Sequence, residues 1–326
     1  YNWEPFHQCV KLRLLKVLDL SSHTVRYFSS GTLQPLIHLK YFAVSAEKFC
    51  ISDESHLLHL ETLIAKRSSS ITELPTSFWK MENLRRVEIS QTCFYGKTLK
   101  YEVETSKLEN VKILSHLSLL LYEVDRFNLL AQRCPNLQEL KSTVTSDSSE
   151  SADDDQEVSF NLESYTQLQI LDLNVDRFMD LCGLYLPSNL KKLVLRAAMR
   201  KSVFFSIGKL PNLEYFQLWD TRFVFYQAGR FGDTTFHKLR VLKLVKLWLS
   251  GWGYIGESFP LLERLVIKQC KYLREIPLGF ADIPTLKQIK LHGCDNDSLK
   301  ISAMKFKKEV EENEGCDRID LIITKF

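Results

Sequence analysis

Apolar residues recur along the chain in the spacing L-x-x-L-x-L, and the pattern appears twelve times between residues 15 and 291. The steps between successive first positions are 24, 21, 24, 24, 29, 31, 22, 23, 26, 23 and 24 residues. Those first positions are Leu15, Leu39, Leu60, Leu84, Leu108, Leu137, Leu168, Leu190, Leu213, Leu239, Leu262 and Leu286. A period of about 20 to 29 residues is typical of a repeat protein in which each unit is one supersecondary element.

The second and third apolar positions of each repeat lie two residues apart, so on a β-strand they face the same side. One such strand cannot bury its apolar face alone, but stacked parallel strands share a continuous core. The pattern therefore predicts an α/β fold, a leucine-rich-repeat solenoid (horseshoe) with a parallel concave sheet and an irregular convex side. Cys270 and Cys294 occupy the ninth position of their repeats, where we expect side chains to hydrogen-bond between turns.

The repeat frame is ambiguous over residues 108–142, because Leu114 and Leu117 compete with the frame that begins at Leu108. The long step that follows contains Tyr122 to Cys134, whose apolar spacing predicts a helix on the convex side. The apolar residues that suit this helix are Val124, Phe127, Leu130 and Ala131.

The last part of the chain has the spacing of an amphipathic helix followed by a strand. Ser298 is a candidate N-cap and Gly315 a candidate stop, and Ile319, Leu321 and Ile323 alternate beyond them. The apolar face of this helix comprises Leu299, Ala303, Phe306 and Val310. We therefore expect a solenoid of about twelve repeats over residues 15–297 and a helix-strand cap over 298–326. Residues 1–14 are predicted to be a linker or the end of a missing upstream domain.

Charge adds a second feature to this picture. The 326 residues carry 43 Lys and Arg against 40 Asp and Glu, a formal net charge of +3. Six of the acidic residues lie between Ser146 and Glu157, a run without basic residues that predicts a surface loop. The remainder has 43 basic against 34 acidic residues, so the body of the protein carries about +9. An overall charge near neutrality argues against a dedicated nucleic-acid binder, and we expect no nucleic-acid partner.

Basic residues concentrate on the predicted concave face of the last five repeats. There, the residues between the core positions include six Lys or Arg and no Asp or Glu. The predicted partner-binding residues are Lys192, Arg196, Tyr215, Trp219, Lys243, Arg264, Lys268, Lys290 and His292. Two interpretations stay open: these side chains solvate the sheet, or they dock an acidic partner. That partner would be a foreign protein, another domain of the same protein, or the acidic loop itself.

No motif for catalysis or metal binding accompanies the repeats. Gly96-Lys97-Thr98 lacks the preceding glycine of a phosphate-binding loop, because Gln91 stands there. Asp153 to Asp155 have neither the Gly nor the distal Glu of a calcium loop. The eight cysteines form no CxxC pair, and no run of about 18 apolar residues could cross a membrane. We predict a chain with no enzymatic activity, no metal and no cofactor of its own.

Several segments resemble a known family. Leu15 to Ser21, Leu262 to Cys270, Leu273 to Pro277, Ile283 to Lys287 and the tail from Ser298 to Glu312 are similar to the C-terminal repeat domain of plant intracellular nucleotide-binding leucine-rich-repeat (NLR) immune receptors. The likeness is to the coiled-coil class of the nightshade family, and it covers essentially the whole chain.

The resemblance implies a disease-resistance function in the cytoplasm, or alternatively in the nucleus or at the inner face of the plasma membrane. In this family the repeats sense pathogen effectors directly, or indirectly through a guarded host protein. They also hold off a switch domain that binds ADP or ATP, which would lie outside this sequence. Activation leads to oligomerisation and a hypersensitive response. The residues expected to contact the switch domain are Asp19, Tyr41, Lys66, Arg86 and Glu88. The alternative is a substrate-recruiting adaptor of an F-box ubiquitin ligase.

Overall fold

Parallel strands dominate the structure, a computed structural model, and they belong to two compact units. The structure describes residues 12–52, 57–67, 72–93, 106–121, 125–146, 156–176, 179–219, 234–249, 251–252, 255, 257–294 and 296–325. The N-terminal unit lies within residues 1–145 and 164–168, and the C-terminal unit within residues 146–163 and 169–326. The predicted acidic loop lies outside the described residues over 147–155, and its last residues belong to a strand.

In the N-terminal unit the strands pair in the order β1-β2-β3-β5-β6-β7, with β4 beside β5. They are β1 (Val17–Ser29), β2 (Tyr41–Cys50), β3 (Thr62–Lys66), β4 (Thr72–Glu73), β5 (Arg86–Cys93), β6 (Ile113–Leu120) and β7 (Glu139–Thr145). Short 3-10 helices cover Ser30–Leu33 and Thr76–Lys80. The predicted convex-side helix is present as α1 (Arg126–Arg133), which buries Phe127, Leu130 and Ala131, whereas Val124 lies outside the described residues.

In the C-terminal unit the main sheet has the order β9-β11-β13-β14-β15-β16-β17, and a smaller sheet has the order β12-β10-β8. The strands are β8 (Gln156–Asn161), β9 (Ile170–Val175), β10 (Met179–Tyr185), β11 (Lys192–Arg196), β12 (Ala198–Met199), β13 (Tyr215–Trp219), β14 (Val241–Val245), β15 (Arg264–Lys268), β16 (Gln288–His292) and β17 (Asp320–Thr324). The helices are α2 (Lys201–Gly208), a 3-10 turn at Leu278–Phe280, and α3 (Asp297–Glu314). The pairing within both units is parallel, which confirms the predicted repeat sheet.

Strand β6 resolves the ambiguous repeat frame. Leu114 pairs with the second apolar residue of both neighbouring strands, and Leu114 and Leu117 are buried. Ile113 is instead half-buried on the opposite side of the strand, so the frame that begins at Leu108 is wrong and the competing frame is correct. A bulge at His116, whose φ is 66°, shifts the register here. The buried residues of this repeat therefore depart from the L-x-x-L-x-L spacing.

Asparagines that immediately precede the first apolar residue of a repeat tie neighbouring turns together. The side-chain amides of Asn83, Asn110 and Asn136 donate to backbone carbonyls of the preceding repeat at 2.8, 2.9 and 2.9 Å. Asn212 does the same in the C-terminal unit at 3.0 Å. Each amide satisfies a carbonyl that the turn leaves without a backbone donor. Asn110 precedes Val111, so this ladder independently places the first position of the fifth repeat there.

The predicted hydrogen bonds from the ninth position are present. The thiol of Cys270 donates to the carbonyl of Leu244 at 3.7 Å, and that of Cys294 to the carbonyl of Ile267 at 3.6 Å. Burial raises the pKa of the Cys270 thiol to about 12, so the group stays protonated and keeps its donor. These cysteines are therefore structural parts of the repeat rather than reactive thiols.

The core of the C-terminal unit contains a stack of phenylalanines that the leucine spacing does not reveal. Phe259 lies between Phe236 and Phe280, with ring centroids 5.3 and 6.1 Å apart and interplanar angles of 21° and 14°. Phe216 and Phe204 extend the cluster from the side of Phe236. All five rings are buried. The three stacked rings come from three consecutive repeats, and all five rings belong to the core of this unit.

The cap follows the prediction except at its first residue. Helix α3 buries Leu299, Ala303, Phe306 and Val310 and ends at Gly315, whose φ is 69°. The N-cap is Asn296, not Ser298: the Asn296 side chain accepts the Ser298 amide at 3.0 Å and donates to the carbonyl of Leu273 at 2.9 Å. Asn296 prevails because its longer amide can do both at once. Strand β17 then pairs with β16.

Candidate functional site

The predicted partner-binding residues lie on the solvent side of the main sheet in the C-terminal unit. Strands β11 and β13–β16 present alternate residues to this sheet face, and register places equivalent positions side by side. Not every position on this face is open to solvent, because Val194, Gln217 and Val245 are buried. Neighbouring strands lie about 4.8 Å apart and alternate residues about 6.7 Å apart along a strand, so side chains here touch across repeats.

On the β9–β13 side of the face, the cations already have partners. The Arg196 guanidinium binds the Asp172 carboxylate at 2.6 Å and stacks over the Trp219 ring at 4.2 Å from its centroid. Asp172 lies in the seventh repeat, just before the last five repeats, whose predicted concave-face residues include no Asp or Glu. Arg196 already makes an ion pair with Asp172 and a ring contact with Trp219. It therefore holds the Trp219 ring in place and is not a free charge for a partner.

Tyr215 is similarly engaged. The Lys192 ammonium lies 5.0 Å from the centroid of the Tyr215 ring, and the Tyr215 hydroxyl donates to Gln217 at 2.8 Å. Burial raises the pKa of Tyr215, which nearby Arg264 opposes and Asp172 reinforces, so the phenol is a neutral donor at physiological pH. Tyr215 and Trp219 are only half-exposed and each has a cation over its ring, which closes part of each ring to a partner.

On the β14–β16 side, four cations surround one small apolar residue. Val266 pairs with Lys243 on one neighbouring strand and with Lys290 on the other. Arg264 and Lys268 flank it on its own strand. We call Lys243, Arg264, Lys268 and Lys290 the cation quartet. Among the described residues, no carboxylate lies within ion-pair distance of any of the four.

The like charges of the cation quartet destabilise the folded state. Burial lowers the pKa of Lys243, and the positive charges of Lys268 and Lys192 lower it further. Like charges held together without a counter-charge oppose folding, and such frustration is typical of sites whose partner is another molecule. His292 borders the quartet beside Lys268, and its Nδ1 lies 2.7 Å from the Thr324 hydroxyl.

An exposed aromatic pair lies just past the carboxyl ends of β14 and β15 and was missed by the sequence reasoning. The rings of Trp248 and Tyr272 stack 5.2 Å apart, and their exposures are 62% and 50%. Both residues fall outside the L-x-x-L-x-L frame, so the pattern offered no signal for them. Exposed stacked aromatics supply rigid apolar area of the kind that dominates protein interfaces.

The second predicted set lies on the equivalent face of the N-terminal unit, and its charges largely satisfy one another. Arg86 binds Glu88 within the same strand at 2.6 Å. Two hydrogen bonds from Ser21 lower the pKa of Asp19, to which the charge of Lys66 adds. Tyr41 is half-buried at the first outward position of β2. This face therefore offers paired, mixed charges in place of a single sign.

Other chemistry finds no support in the described part of the chain. No group of three or more His, Cys, Asp or Glu there is placed to hold a metal ion. None of the helices described is both long and apolar enough to cross a membrane. The cysteines that the structure describes are free thiols, with Cys50 and Cys316 exposed.

Comparison with known proteins places these features in context. No protein-family model matches the chain. A putative late blight resistance protein homologue, R1B-16 from Solanum demissum, is 32% identical over 95% of this chain, and a second from the same species, R1B-23, is 31% identical over 94%. The chain spans 24% of the length of each of these two relatives.

Among solved structures, an internalin from Listeria monocytogenes aligns with a TM-score of 0.52 at 12% identity, covering 99% of this chain and 94% of that one. This likeness concerns the fold alone, which it supports as a leucine-rich-repeat solenoid. The chain therefore has the leucine-rich-repeat fold and is similar over nearly its whole length to late blight resistance protein homologues of Solanum demissum.

Proposed function

We propose that this chain is the protein-interaction part of an intracellular plant immune receptor. Its C-terminal sheet face docks an acidic partner, either a pathogen effector or a guarded host protein. The observation that carries the proposal is the cation quartet, four positive side chains without a carboxylate partner among the described residues. Electrostatic complementarity of this kind accelerates encounter and selects partners by charge.

The aromatic pair completes the proposed contact surface. Trp248 and Tyr272 lie next to the strands that carry the quartet, so charge and apolar area adjoin each other. Interfaces that bind tightly combine a buried aromatic anchor with polar groups around it. We expect Trp248→Ala with Tyr272→Ala to weaken partner binding about a hundredfold, since each buried aromatic anchor contributes about 1–2 kcal/mol or more.

The mixed, internally paired face of the N-terminal unit suits a different role in the same proposal. Asp19, Lys66, Arg86 and Glu88 offer both signs of charge, which fits a reversible contact with the receptor's own nucleotide-binding domain. That domain, with its ADP or ATP, would lie elsewhere in the receptor. Holding it in the resting state is autoinhibition, and its release would permit oligomerisation and cell death. The names of the relatives favour this receptor interpretation over the F-box adaptor.

The test is charge reversal in the complete receptor that carries this chain. Arg264→Glu, Lys268→Glu and Lys290→Glu together place three negative charges on the sheet face. In leaves, we expect the variant either to lose the cell-death response to inoculation with the late blight pathogen or to trigger cell death without it. The matched control reverses Arg274, Lys287 and Lys305, which are exposed residues of the same types outside the quartet.

A variant that accumulates normally and retains both the quiet resting state and the full response would overturn the proposal. If the control triple variant gives the same phenotype as the quartet variant, the effect comes from net charge alone and the proposal again fails. Urea denaturation of the isolated chains tells a loss of stability from a loss of contact.

A further inference from the structure

The strand register roots the four side chains of the cation quartet around one residue, whereas a strip of charges would follow the sheet in a line. Lys243 and Lys290 lie one strand to either side of Val266, and Arg264 and Lys268 lie two residues before and after it. Their four Cβ atoms are thus within about 7 Å of the Val266 Cβ. Because lysine stems are flexible and about 6 Å long, several charged heads can meet above the same small residue.

The groups around the cation quartet that the structure describes do not neutralise its positive charge. The carboxylates that adjoin the quartet are occupied: Asp172 by Arg196, Glu263 by Arg240 and Asp320 by Gln288. Val266 is half-buried and cannot donate or accept a hydrogen bond. A ligand seated there would meet cations from four directions and an apolar floor.

A carboxylate and a phosphate would use such a site differently. A carboxylate has one negative charge and two oxygens, and is well satisfied by a single cation. A phosphorylated side chain has nearly two charges at pH 7 and three strong acceptor oxygens on one atom. Only the phosphate brings nearly two charges within reach of four cations rooted around one residue, since an extended acidic peptide presents its charges to one face at intervals of about 7 Å.

The geometry points to the cation quartet as a docking site for a phosphorylated serine or threonine of the partner protein. This inference rests on the proposed function, because it takes the sheet face as the docking surface. The aromatic pair of Trp248 and Tyr272, past the ends of the same strands, would receive an apolar side chain near the phosphorylated residue. Recognition would then depend on a kinase having modified the partner.

Three fluorescent peptide libraries of the same degenerate composition test this inference on the 326-residue chain. One has a fixed central phosphoserine, the second serine and the third glutamate. We expect the phosphoserine library to bind about tenfold more tightly than the glutamate library, and the serine library more weakly than both. Inorganic pyrophosphate should compete, but only at much higher concentration than the phosphopeptides.

Two variants assign the effect to the quartet. Lys243→Gln with Lys290→Gln should reduce the preference for phosphoserine over glutamate to about one, because the two cations that face each other across Val266 are gone. Trp248→Ala should weaken binding of all three libraries equally and leave the preference intact. Lys305→Gln, on the cap helix, is the matched control and should change neither quantity. Denaturation curves check that each variant is folded.

Equal binding of the phosphoserine and glutamate libraries would overturn the inference while leaving an acidic-partner site in place. Pyrophosphate that binds as tightly as the phosphopeptides would also overturn it, by showing a site for a free anion. Binding that the double lysine variant leaves unchanged would place the phosphate elsewhere. The leaf assay decides the proposed function independently, so either statement can fail alone.

Discussion

Replacing Lys243 by methionine should stabilise the protein, and this is the most direct test that the quartet is under electrostatic strain. Methionine keeps an unbranched apolar stem and removes the charge. Burial and the charges of Lys268 and Lys192 lower the pKa of Lys243 below its usual 10.5. Because this pKa is lower in the folded than in the unfolded chain, the protonated lysine opposes folding at pH 7. The penalty disappears as pH rises through the folded-state pKa.

The register of the sheet allows the repulsion to be worked out for the two charges that lower the pKa of Lys243. Lys268 lies on the neighbouring strand, two residues out of register with Lys243, at a distance of about 8 Å. Lys192 lies two strands away, also two residues out of register, at about 12 Å. Coulomb's law in water gives repulsions of about 0.5 and 0.35 kcal/mol. Screening reduces their sum to about 0.6 kcal/mol at 10 mM ionic strength and about 0.3 kcal/mol at 150 mM. Loss of the desolvation penalty adds to both values.

The assay is urea denaturation of the Lys243→Met variant and the parent at both salt concentrations. We expect a gain in unfolding free energy of about 0.5–1 kcal/mol at low salt that shrinks by about 0.3 kcal/mol at high salt. Lys305→Met, an exposed lysine in helix α3 with similar helix propensity after substitution, should give no salt-dependent gain. A destabilised Lys243→Met, or a gain that salt does not diminish, would refute the reasoning.

Three further expectations concern the repeat framework. Gly293→Ala should destabilise by about 1–2 kcal/mol in thermal or urea unfolding, since its φ of 59° is costly for a residue with a Cβ, whereas Gln269→Gly at the equivalent position (φ 56°) should not destabilise. Phe259→Ala should cost about 3–5 kcal/mol by opening a cavity in the stack, and a loss below 1 kcal/mol would contradict the packing described. Cys316 should react with iodoacetamide in the folded protein, but Cys270 only after unfolding, because burial raises its pKa to about 12; equal labelling rates by mass spectrometry would contradict this.

Sequence reasoning succeeded where burial repeats at a regular interval. The helix face of Leu299, Ala303, Phe306 and Val310 was predicted residue by residue, because local periodicity alone determines it. Prediction failed at Leu108, where a bulge at His116 changes the spacing between buried residues. A one-residue irregularity in backbone conformation is not encoded in an apolar pattern, so the frame needed the strand pairing.

The candidate site shows the same division between local and long-range information. Lys192, Lys243 and Lys290 look alike in the sequence, since each stands beside a core residue of a predicted strand. Their environments differ: Lys192 stacks on Tyr215, whereas Lys243 and Lys290 are the register partners of Val266 and pair with no carboxylate among the described residues. Partners 23 or 24 residues apart decide these environments, and turn lengths set which residues meet.

By itself the sequence determined the repeat, its period near 24 residues, the buried positions and the amphipathic cap. Apolar burial has a period set by backbone geometry and by stacking between neighbouring turns, and both are visible locally. Only the tertiary structure decided which charges are paired, that four cations surround Val266, and that Trp248 meets Tyr272 at the surface. The physical reason is that an ion pair or a ring contact depends on side chains from different turns meeting within a few ångströms. That meeting is set by strand register and turn length, which no single repeat contains.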